Sequence, residues 1–322
     1  MKRILFICPY FGVLPKQHME LWLQSCEMNL NIDWLILTDD RTKYNYPENV
    51  KVEYYSFLEM KEYIQRKFEF KISLEAPYKL CDFKPTYGYI FSEYLVGYDY
   101  WGHCDMSDCI FGDLRKFLDE SILSLNDKIG FLGHMTLYRN TDEVNKRFML
   151  TTKSGIQLRD ILGVSENKAF DELTSYSINT IYNEYNFQSA RFDEMYVDIS
   201  PIRFAFQASS YNEKYLHVYK KKVPMIFEWS SGCLFEYKIV DEMVVKREIG
   251  YVHFQKRKMI KDFDGIKNRY FIVPNKFLSE FDVNDSDKIL SYSRDKLYLM
   301  YFKQKWEALK YHIKHFIKNN KG

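Results

Sequence analysis

The chain has 322 residues, a length that fits one large domain or one domain with an appendage. Hydrophobic residues make up 46% of it, which is enough for a sizeable core and excludes global disorder. The chain has 46 Lys and Arg and 44 Asp and Glu, so its net charge is only +2 and does not indicate a nucleic-acid partner. No segment approaches the roughly 20 apolar residues of a membrane span, and the six cysteines form no CxxC pair. We therefore expect a cytoplasmic protein, soluble or peripheral to a membrane.

The first third of the chain alternates strand and helix patterns, which is typical of a mostly parallel sheet with helices on both faces. The apolar run before Pro9 is too short for a secretory signal and predicts a first strand over 3–8. Further strands are predicted over 33–38, 50–55 and 98–104. Helices are predicted over 17–29, 57–68 and 78–96, the last one despite Pro85. The predicted fold class is α/β.

The second half of the chain has a different character. Mostly antiparallel strands are predicted over 129–132, 225–229, 233–239 and 243–254, with a loop-rich region over 141–220. Near the end, apolar residues from Leu299 to Phe316 recur at spacings of three and four, and lysines surround them. Such a helix suits an anionic membrane surface, and docking on the domain is the alternative. We expect a main domain over 1–275 and a basic amphipathic helical region over 276–322.

Two acids follow the strand that is predicted to end at residue 104. In open α/β sheets, ligands bind at the carboxyl ends of strands, so Asp105 and Asp108 would line a binding crevice. Carboxylates at such an edge suit a hard divalent cation that bridges a diphosphate. Capping of the turn near Gly112 is the structural alternative.

Other candidate site residues lie at the end of the second predicted strand and on the predicted helix before the fourth. Asp39 and Asp40 end the second strand, and Lys79, Asp82 and Lys84 lie on the predicted helix that leads to Asp105. An ordinary surface ion pair is the alternative for this helix.

The middle of the chain holds two acidic pairs, Asp171–Glu172 and Asp193–Glu194, and His134 follows the fifth strand. A carboxylate of either pair could act as a general base, and a solvated helix face is the alternative.

Six short segments spread from Pro9 to Arg257 resemble a group of bacterial capsule and cell-wall glycosyltransferases. They read PYFG, DWLILTDD, YKLCDFKP, WGHCD, LYRN and HFQKR. The segment YKLCDFKP is also similar to the Ser-Asp-x-x-Arg stretch of glycosyltransferase family 32. The resemblance covers about the first four-fifths of the chain. It implies a Rossmann-like GT-A domain with a donor half over about 1–130 and an acceptor half over about 131–275.

The resemblance also implies a set of site residues. The expected donor-binding residues are Pro9, Tyr10, Phe11, Gly12, Asp39, Asp40, Lys79, Asp82, Lys84, His103, Asp105, Lys256 and Arg257. The expected catalytic residues are Asp171, Glu172 and His134, and Mn²⁺ or Mg²⁺ is expected on Asp105, Asp108 and His253. The family's Asp-x-Asp motif has a second acid where this chain has Ser107, so Asp108 reaches a metal only if the chain turns after Met106.

The activity implied by the resemblance is transfer of a sugar from a UDP-sugar to a lipid-linked saccharide during capsule synthesis. The expected place is the inner face of the plasma membrane, with surface contact through the C-terminal helix and no nucleic acid as partner. One alternative is a non-catalytic carbohydrate-binding subunit derived from a transferase, which Ser107 favours. The other is a nucleotidyltransferase, for which PYFGVLPK is a poor phosphate-binding loop.

Overall fold

The computed structural model describes residues 1–211, 217–219, 222–255 and 257–294, and also residues 296, 299, 302, 303, 306 and 310. The chain divides into two compact units, Met1–Tyr196 and Val197–Gly322. Both contain strands and helices, so the predicted α/β class is confirmed.

The first unit is built on a mixed sheet with the strand order β3-β2-β1-β4-β7-β6-β8. The strands are β1 (Ile4–Tyr10), β2 (Ile32–Thr38), β3 (Val50–Tyr54), β4 (Tyr100–Cys104), β5 (Cys109–Phe111), β6 (Lys128–Leu132), β7 (Met135–Arg139) and β8 (Ser189–Ala190), of which β5 lies outside this sheet. Strands β3, β2, β1 and β4 run parallel, whereas β7 is antiparallel to both β4 and β6. The chain leaves β1 toward β2 and later returns to its other side as β4, so the strand order reverses between β1 and β4.

Strand β1 continues two residues past its predicted end. Pro9 and Tyr10 pair with Leu37 and Thr38 of β2 and do not form a turn. The pairing of β1 with β4 ends at Phe6, so this end of β1 has a strand neighbour on one side, where a proline is tolerated.

The helices of the first unit are α1 (Lys16–Glu27), α2 (Phe57–Gln65), α3 (Tyr87–Ile90), α4 (Glu120–Leu125), α5 (Asp142–Lys146), α6 (Leu158–Leu162) and α7 (Ile178–Glu184). Short 3-10 helices span Pro77–Thr86, Ser92–Leu95, Leu114–Lys116 and Arg147–Met149. Helix α2 begins with a capping box between Ser56 and Glu59 and buries Met60 and Ile64.

The prediction of one regular helix over 78–96 is wrong. The chain forms the 3-10 helix Pro77–Thr86, then α3, then a second 3-10 helix. Pro85 has no N–H to donate to an α-helical hydrogen bond, which explains why a regular helix does not run through it.

The second unit contains most of the remaining strands. They are β9 (Tyr196–Ile199, which begins at the last residue of the first unit), β10 (Ala208–Tyr211), β11 (His217–Tyr219), β12 (Met225–Ser230), β13 (Cys233–Val240), β14 (Met243–Ile249), β15 (Tyr251–His253), β16 (Ile260–Lys261), β17 (Arg269–Val273) and β18 (Lys276–Leu278). One sheet has the order β14-β13-β12-β17-β18-β16, and its β12–β13, β13–β14 and β12–β17 pairs are antiparallel, as predicted. The predicted strand over 243–254 is divided at Gly250 into β14 and β15.

Helix α8 (Ser286–Tyr292) belongs to the second unit and buries Ile289 in a core with Ile226 and Phe271. Most of the predicted stripe from Leu299 to Phe316 lies outside the described residues, and so does Lys256. Within the described part of the chain, no helix is both long and apolar enough to cross a bilayer.

Lys128 in β6 is an unusual core residue because it is 2% exposed. Its ammonium donates to the Gly130 carbonyl oxygen at 2.6 Å and lies 5.4 Å from the ring centroid of Tyr182. Burial lowers the pKa of Lys128 to about 7.

This lowered pKa predicts a pH-dependent stability. The unfolded chain holds the Lys128 proton up to pH ~10.4, so the folded state loses up to ~1.4 kcal/mol per pH unit as pH falls from there toward 7. The Lys128→Met variant is expected to be more stable than the wild type by about 1–3 kcal/mol at pH 7, and to lose this pH dependence. Urea unfolding at pH 7, 8 and 9 measures both effects, with the exposed Lys146→Met as control. A lower stability of Lys128→Met at every pH would contradict this account.

Candidate functional site

The carboxyl ends of β1 and β4 meet at the point where the strand order reverses. The sulfurs of Cys8 and Cys104, near the ends of these strands, are 3.5 Å apart. Asp105 directly follows β4, as predicted, and its main-chain N–H donates to the His134 carbonyl oxygen at 2.8 Å. In open α/β sheets, this edge is where ligands bind.

Lys84 is the cation at the centre of this site. Its Nζ donates to Asp105 Oδ1 at 2.7 Å and to the Gly133 carbonyl oxygen at 2.8 Å. The same Nζ lies 3.6 Å from Asp171 Oδ2, and the Lys84 side chain is 12% exposed. Burial alone would lower the pKa of Lys84, but the charges of Asp105 and Asp171 raise it well above its ordinary value. Lys84 is therefore charged, and it joins the strand-end acid Asp105 to an acid far away in the sequence.

Asp171 and Glu172 form an acidic pair beside Lys84. Glu172 Oε1 accepts a hydrogen bond from the Gly133 N–H at 3.1 Å. Burial raises the pKa of Asp171 to about 6, against the opposing effect of Lys84. Burial, and then the charge of Asp171, raises the pKa of Glu172 to about 8. At neutral pH one member of the pair is mainly ionised and the other mainly protonated, which suits a base and an acid.

Gly133, which directly follows the strand predicted over 129–132 and precedes His134, also lies at this site. A Cβ at this position would collide with Asp171 Oδ2 and would lie 2.8 Å from Glu172 Oε1. The close approach of the acidic pair to the main chain therefore requires glycine.

The two predicted histidines of the first unit are both buried. His103 lies within β4 and is 1% exposed, and burial together with the Lys84 charge lowers its pKa well below the ordinary value. A neutral imidazole inside the sheet does not fit direct contact with a donor. His134 is 5% exposed, and its ring packs edge-on against Tyr196 at 5.1 Å.

Asp39 and Asp40 hold the loop after β1. Asp39 Oδ1 accepts from the Gly12 N–H at 2.7 Å, and Asp40 Oδ2 accepts from the Leu14 N–H at 2.8 Å. Gly12 has a φ of 108°, which glycine adopts readily and other residues rarely do. These two acids therefore shape the loop, and their predicted contact with a donor stays a prediction.

The aromatic residues beside this loop differ in their surroundings. Phe11 is buried and packs edge-on against Phe57 at 5.3 Å, so its predicted role in donor binding does not fit. Tyr10 is half-buried, and burial, followed by the charges of Asp108 and Asp40, raises its pKa. Tyr10 therefore lies close to the acids at this edge of the sheet.

Lys79 and Asp82 are inside the protein, with exposures of 4% and 0%. Lys79 Nζ donates to Asp82 Oδ2 at 2.7 Å and to the carbonyl oxygens of Ile161 and Glu166 at 2.9 and 2.6 Å. All three ammonium protons thus have acceptors within the protein. The predicted contact of this pair with a donor sugar or phosphate does not fit.

The predicted metal ligands lie in both units. The chain turns over residues 106–108, where Ser107 has a left-handed φ of 66°, so the turn that Asp108 requires is present. Carboxylate oxygens at a turn are ligands that suit Mg²⁺ or Mn²⁺. Among the described residues of the first unit, no cluster of three possible ligand atoms includes Asp105 or Asp108. Because His253 belongs to the second unit, the complete metal site stays a prediction.

His253 ends β15 in the second unit and has a carboxylate partner. Its Nδ1 lies 2.8 Å from Asp198 Oδ1, so Nδ1 carries the proton and the carboxylate orients the ring. Asp198 also accepts from Gln255 Nε2 at 3.0 Å and from Ser209 Oγ at 2.6 Å. The sequence reasoning missed Asp198, since it lies in a stretch without a recognisable pattern.

Arg257 is a structural residue of the second unit and is 3% exposed. Its guanidinium donates to Asn275 Oδ1 at 3.1 Å and to the main-chain carbonyl oxygens of one loop, those of Ser200, Arg203, Phe204 and Ala205. These contacts use its donors inside the protein, so the predicted role of Arg257 in donor binding does not fit.

The described residues form an α/β protein with an acid–lysine cluster at the reversal point of a largely parallel sheet. The chain belongs to DUF6625, a family of unknown function whose model matches residues 6–281. No curated protein matches it. Among solved structures, the glycosyltransferase GlyE of Streptococcus pneumoniae TIGR4 is 13% identical with a TM-score of 0.33. That match covers 59% of this chain and 44% of GlyE, and it is too weak to support a function.

Proposed function

We propose that this chain is a glycosyltransferase with a GT-A fold that takes a sugar from a nucleotide-diphosphate donor, a UDP-sugar. The main support is the Lys84 contact with both Asp105 and Asp171 at the carboxyl end of β4. Ligands of open α/β sheets bind at this edge, and buried acids with raised pKa values are typical of catalytic sites. The six segments that resemble capsule glycosyltransferases favour the same class.

In the proposed reaction, Asp171 is the general base. Its carboxylate takes the proton of an acceptor hydroxyl, the hydroxyl oxygen bonds to the anomeric carbon, and the bond to the diphosphate breaks. Glu172 remains protonated, which keeps a second negative charge away from Asp171. Lys84 holds Asp171 ionised by its positive charge.

The donor side of the proposal rests on the acids near Tyr10. Mn²⁺ or Mg²⁺ held by Asp105 and Asp108 would neutralise charge on the diphosphate, and His253 stays a predicted further ligand. The half-buried ring of Tyr10 is suited to stack on the base.

The acceptor in this proposal is a lipid-linked saccharide of a surface polysaccharide such as capsule. The protein would then work at the cytoplasmic face of the plasma membrane. The lysines of the C-terminal segment would contact anionic lipid there.

Calorimetric titration of the full chain with UDP, in the presence and absence of Mn²⁺, tests the proposal. We expect UDP to bind with Mn²⁺, and UDP to be released from at least one UDP-sugar. Because Asp105→Asn removes a carboxylate of the donor side, it is expected to weaken UDP binding about tenfold or more. The exposed Asp142→Asn is the control and should bind UDP like the wild type.

Three other results would contradict the proposal. Failure of UDP, GDP and dTDP to bind would show that the proposed donor site does not exist. Binding of nucleotide sugars with no release of nucleotide would indicate the non-catalytic subunit. Consumption of a nucleoside triphosphate with release of pyrophosphate would indicate a nucleotidyltransferase.

A further inference from the structure

We infer that Asp82 is a positioning residue that fixes the place of the acidic pair Asp171–Glu172. The inference rests on the proposed function, because the pair supplies the base of the proposed reaction. Asp82 itself has no exposed surface, so it acts on the site through the chain that it binds. That chain is the acidic loop, residues 166–172.

Asp82 binds the main chain of the acidic loop through both carboxylate oxygens. Its Oδ2 accepts from the Lys168 N–H at 2.8 Å, and its Oδ1 accepts from the Phe170 N–H at 3.1 Å. Ala169 between them has a left-handed φ of 51°. Main-chain N–H groups beside such a residue can point to the same side and form an anion-binding nest. The carboxylate thus fixes the course of the loop immediately before Asp171.

Lys79 completes the anchor on the same 3-10 helix, Pro77–Thr86. Residues three apart in a 3-10 helix lie above one another, so Lys79 and Asp82 pair directly. Lys79 neutralises the buried carboxylate and also donates to the carbonyl oxygens of Ile161 and Glu166. The anchor therefore holds the acidic loop at its beginning and near its end.

The same 3-10 helix also binds a side chain of the acidic pair. Lys84 follows Asp82 by two residues and lies 3.6 Å from Asp171 Oδ2. One short segment thus fixes the main chain of the acidic loop through Asp82 and the carboxylate of Asp171 through Lys84. A displacement of about 1 Å between a catalytic group and its substrate can lower a rate about 100-fold.

The test uses the variant Asp82→Asn in the full chain. An asparagine offers one acceptor oxygen in place of two, so at least one of the N–H groups of Lys168 and Phe170 loses its partner. We expect kcat to fall about 100-fold, while the Kd of UDP changes less than about twofold. Hydrogen exchange should speed up in the acidic loop and stay unchanged in β1 and β2.

The Asp82→Asn variant could fail to fold, because it leaves the Lys79 ammonium without its counter-charge. A second variant therefore keeps the inference testable. The double variant Lys79→Met, Asp82→Asn removes both buried charges and is expected to show the same loss of kcat and the same faster exchange. The control Asp142→Asn changes an exposed side chain and should match the wild type in both measurements.

Two results would overturn the inference. Asp82 would be a donor contact if Asp82→Asn weakened UDP-sugar binding by the same factor as kcat/KM. Unchanged exchange in the acidic loop would show that Asp82 does not hold it. If the wild type neither binds UDP nor releases it, the proposed function fails, and the exchange measurement still decides whether Asp82 anchors the loop.

Discussion

The Asp171→Asn variant is expected to lower kcat by a factor of about 10²–10⁴, while the Kd of UDP stays nearly unchanged. An asparagine has almost the shape of aspartate, but it cannot take a proton from an acceptor hydroxyl. Single-turnover release of UDP, measured beside calorimetric UDP titration, separates the loss of chemistry from a loss of binding. Equal losses in kcat and UDP affinity would indicate that Asp171 contacts the donor instead.

The pH dependence of the wild type provides a second measurement of the same role. Because the pKa of Asp171 is raised to about 6, turnover should increase as pH rises through 6, where the base becomes ionised. Because the pKa of Glu172 is raised to about 8, turnover should fall above pH 8, where a second charge forms in the pair. The Asp171→Asn variant should lose the rise near pH 6.

The matched control for Asp171→Asn is Glu172→Gln. A glutamine resembles the protonated form of Glu172 and keeps the oxygen that accepts from the Gly133 N–H. We expect kcat of this variant to stay within about tenfold of the wild type at pH 7, and its fall above pH 8 to disappear. A loss as large as that of Asp171→Asn would assign the role of base to Glu172.

Five strands of the first unit could be predicted from their own local patterns, namely β1, β2, β3, β4 and β6, whereas β5, β7 and β8 were missed. The run DWLILT became β2, and the run before Asp105 became β4, with its end at the predicted place. The 3-10 helix before α3 was missed, because the proline and the apolar residues there are compatible with two helix types. A local sequence pattern therefore predicts the position of a helix or strand more reliably than its hydrogen-bonding pattern.

The candidate site was predictable in part, for a physical reason. Asp105 stands beside a strand end, and that position alone marks it as a candidate. The contact between Lys84 and Asp171 joins residues far apart in sequence, so no local spacing indicates it. Burial cannot be predicted from a short segment either. The types and spacing of Lys79 and Asp82 are typical of a surface ion pair, yet both residues are inside the protein.

Arg257 gives the second large expected effect, which is on stability and not on donor binding. Its guanidinium satisfies four main-chain carbonyl oxygens of the loop that contains Ser200 and Ala205. Hydrogen bonds to a charged group contribute about 1.5–3 kcal/mol each, and buried acceptors that lose their donors cost more. The Arg257→Met variant is therefore expected to lose at least about 4 kcal/mol, a large part of the stability of an ordinary domain.

Urea unfolding and limited proteolysis of the full chain measure this loss, and the second unit should become sensitive to protease first. The Arg257→Lys variant should recover only part of the stability, because one ammonium has three donors and a different geometry. The control is Arg247→Met: its side chain is 43% exposed, and its partner Glu236 keeps Lys238 at 2.7 Å, so a loss of about 1 kcal/mol is expected. If Arg257→Met were as stable as the wild type but bound UDP weakly, the guanidinium would be a diphosphate ligand. Our assignment of Arg257 to the loop would then be wrong.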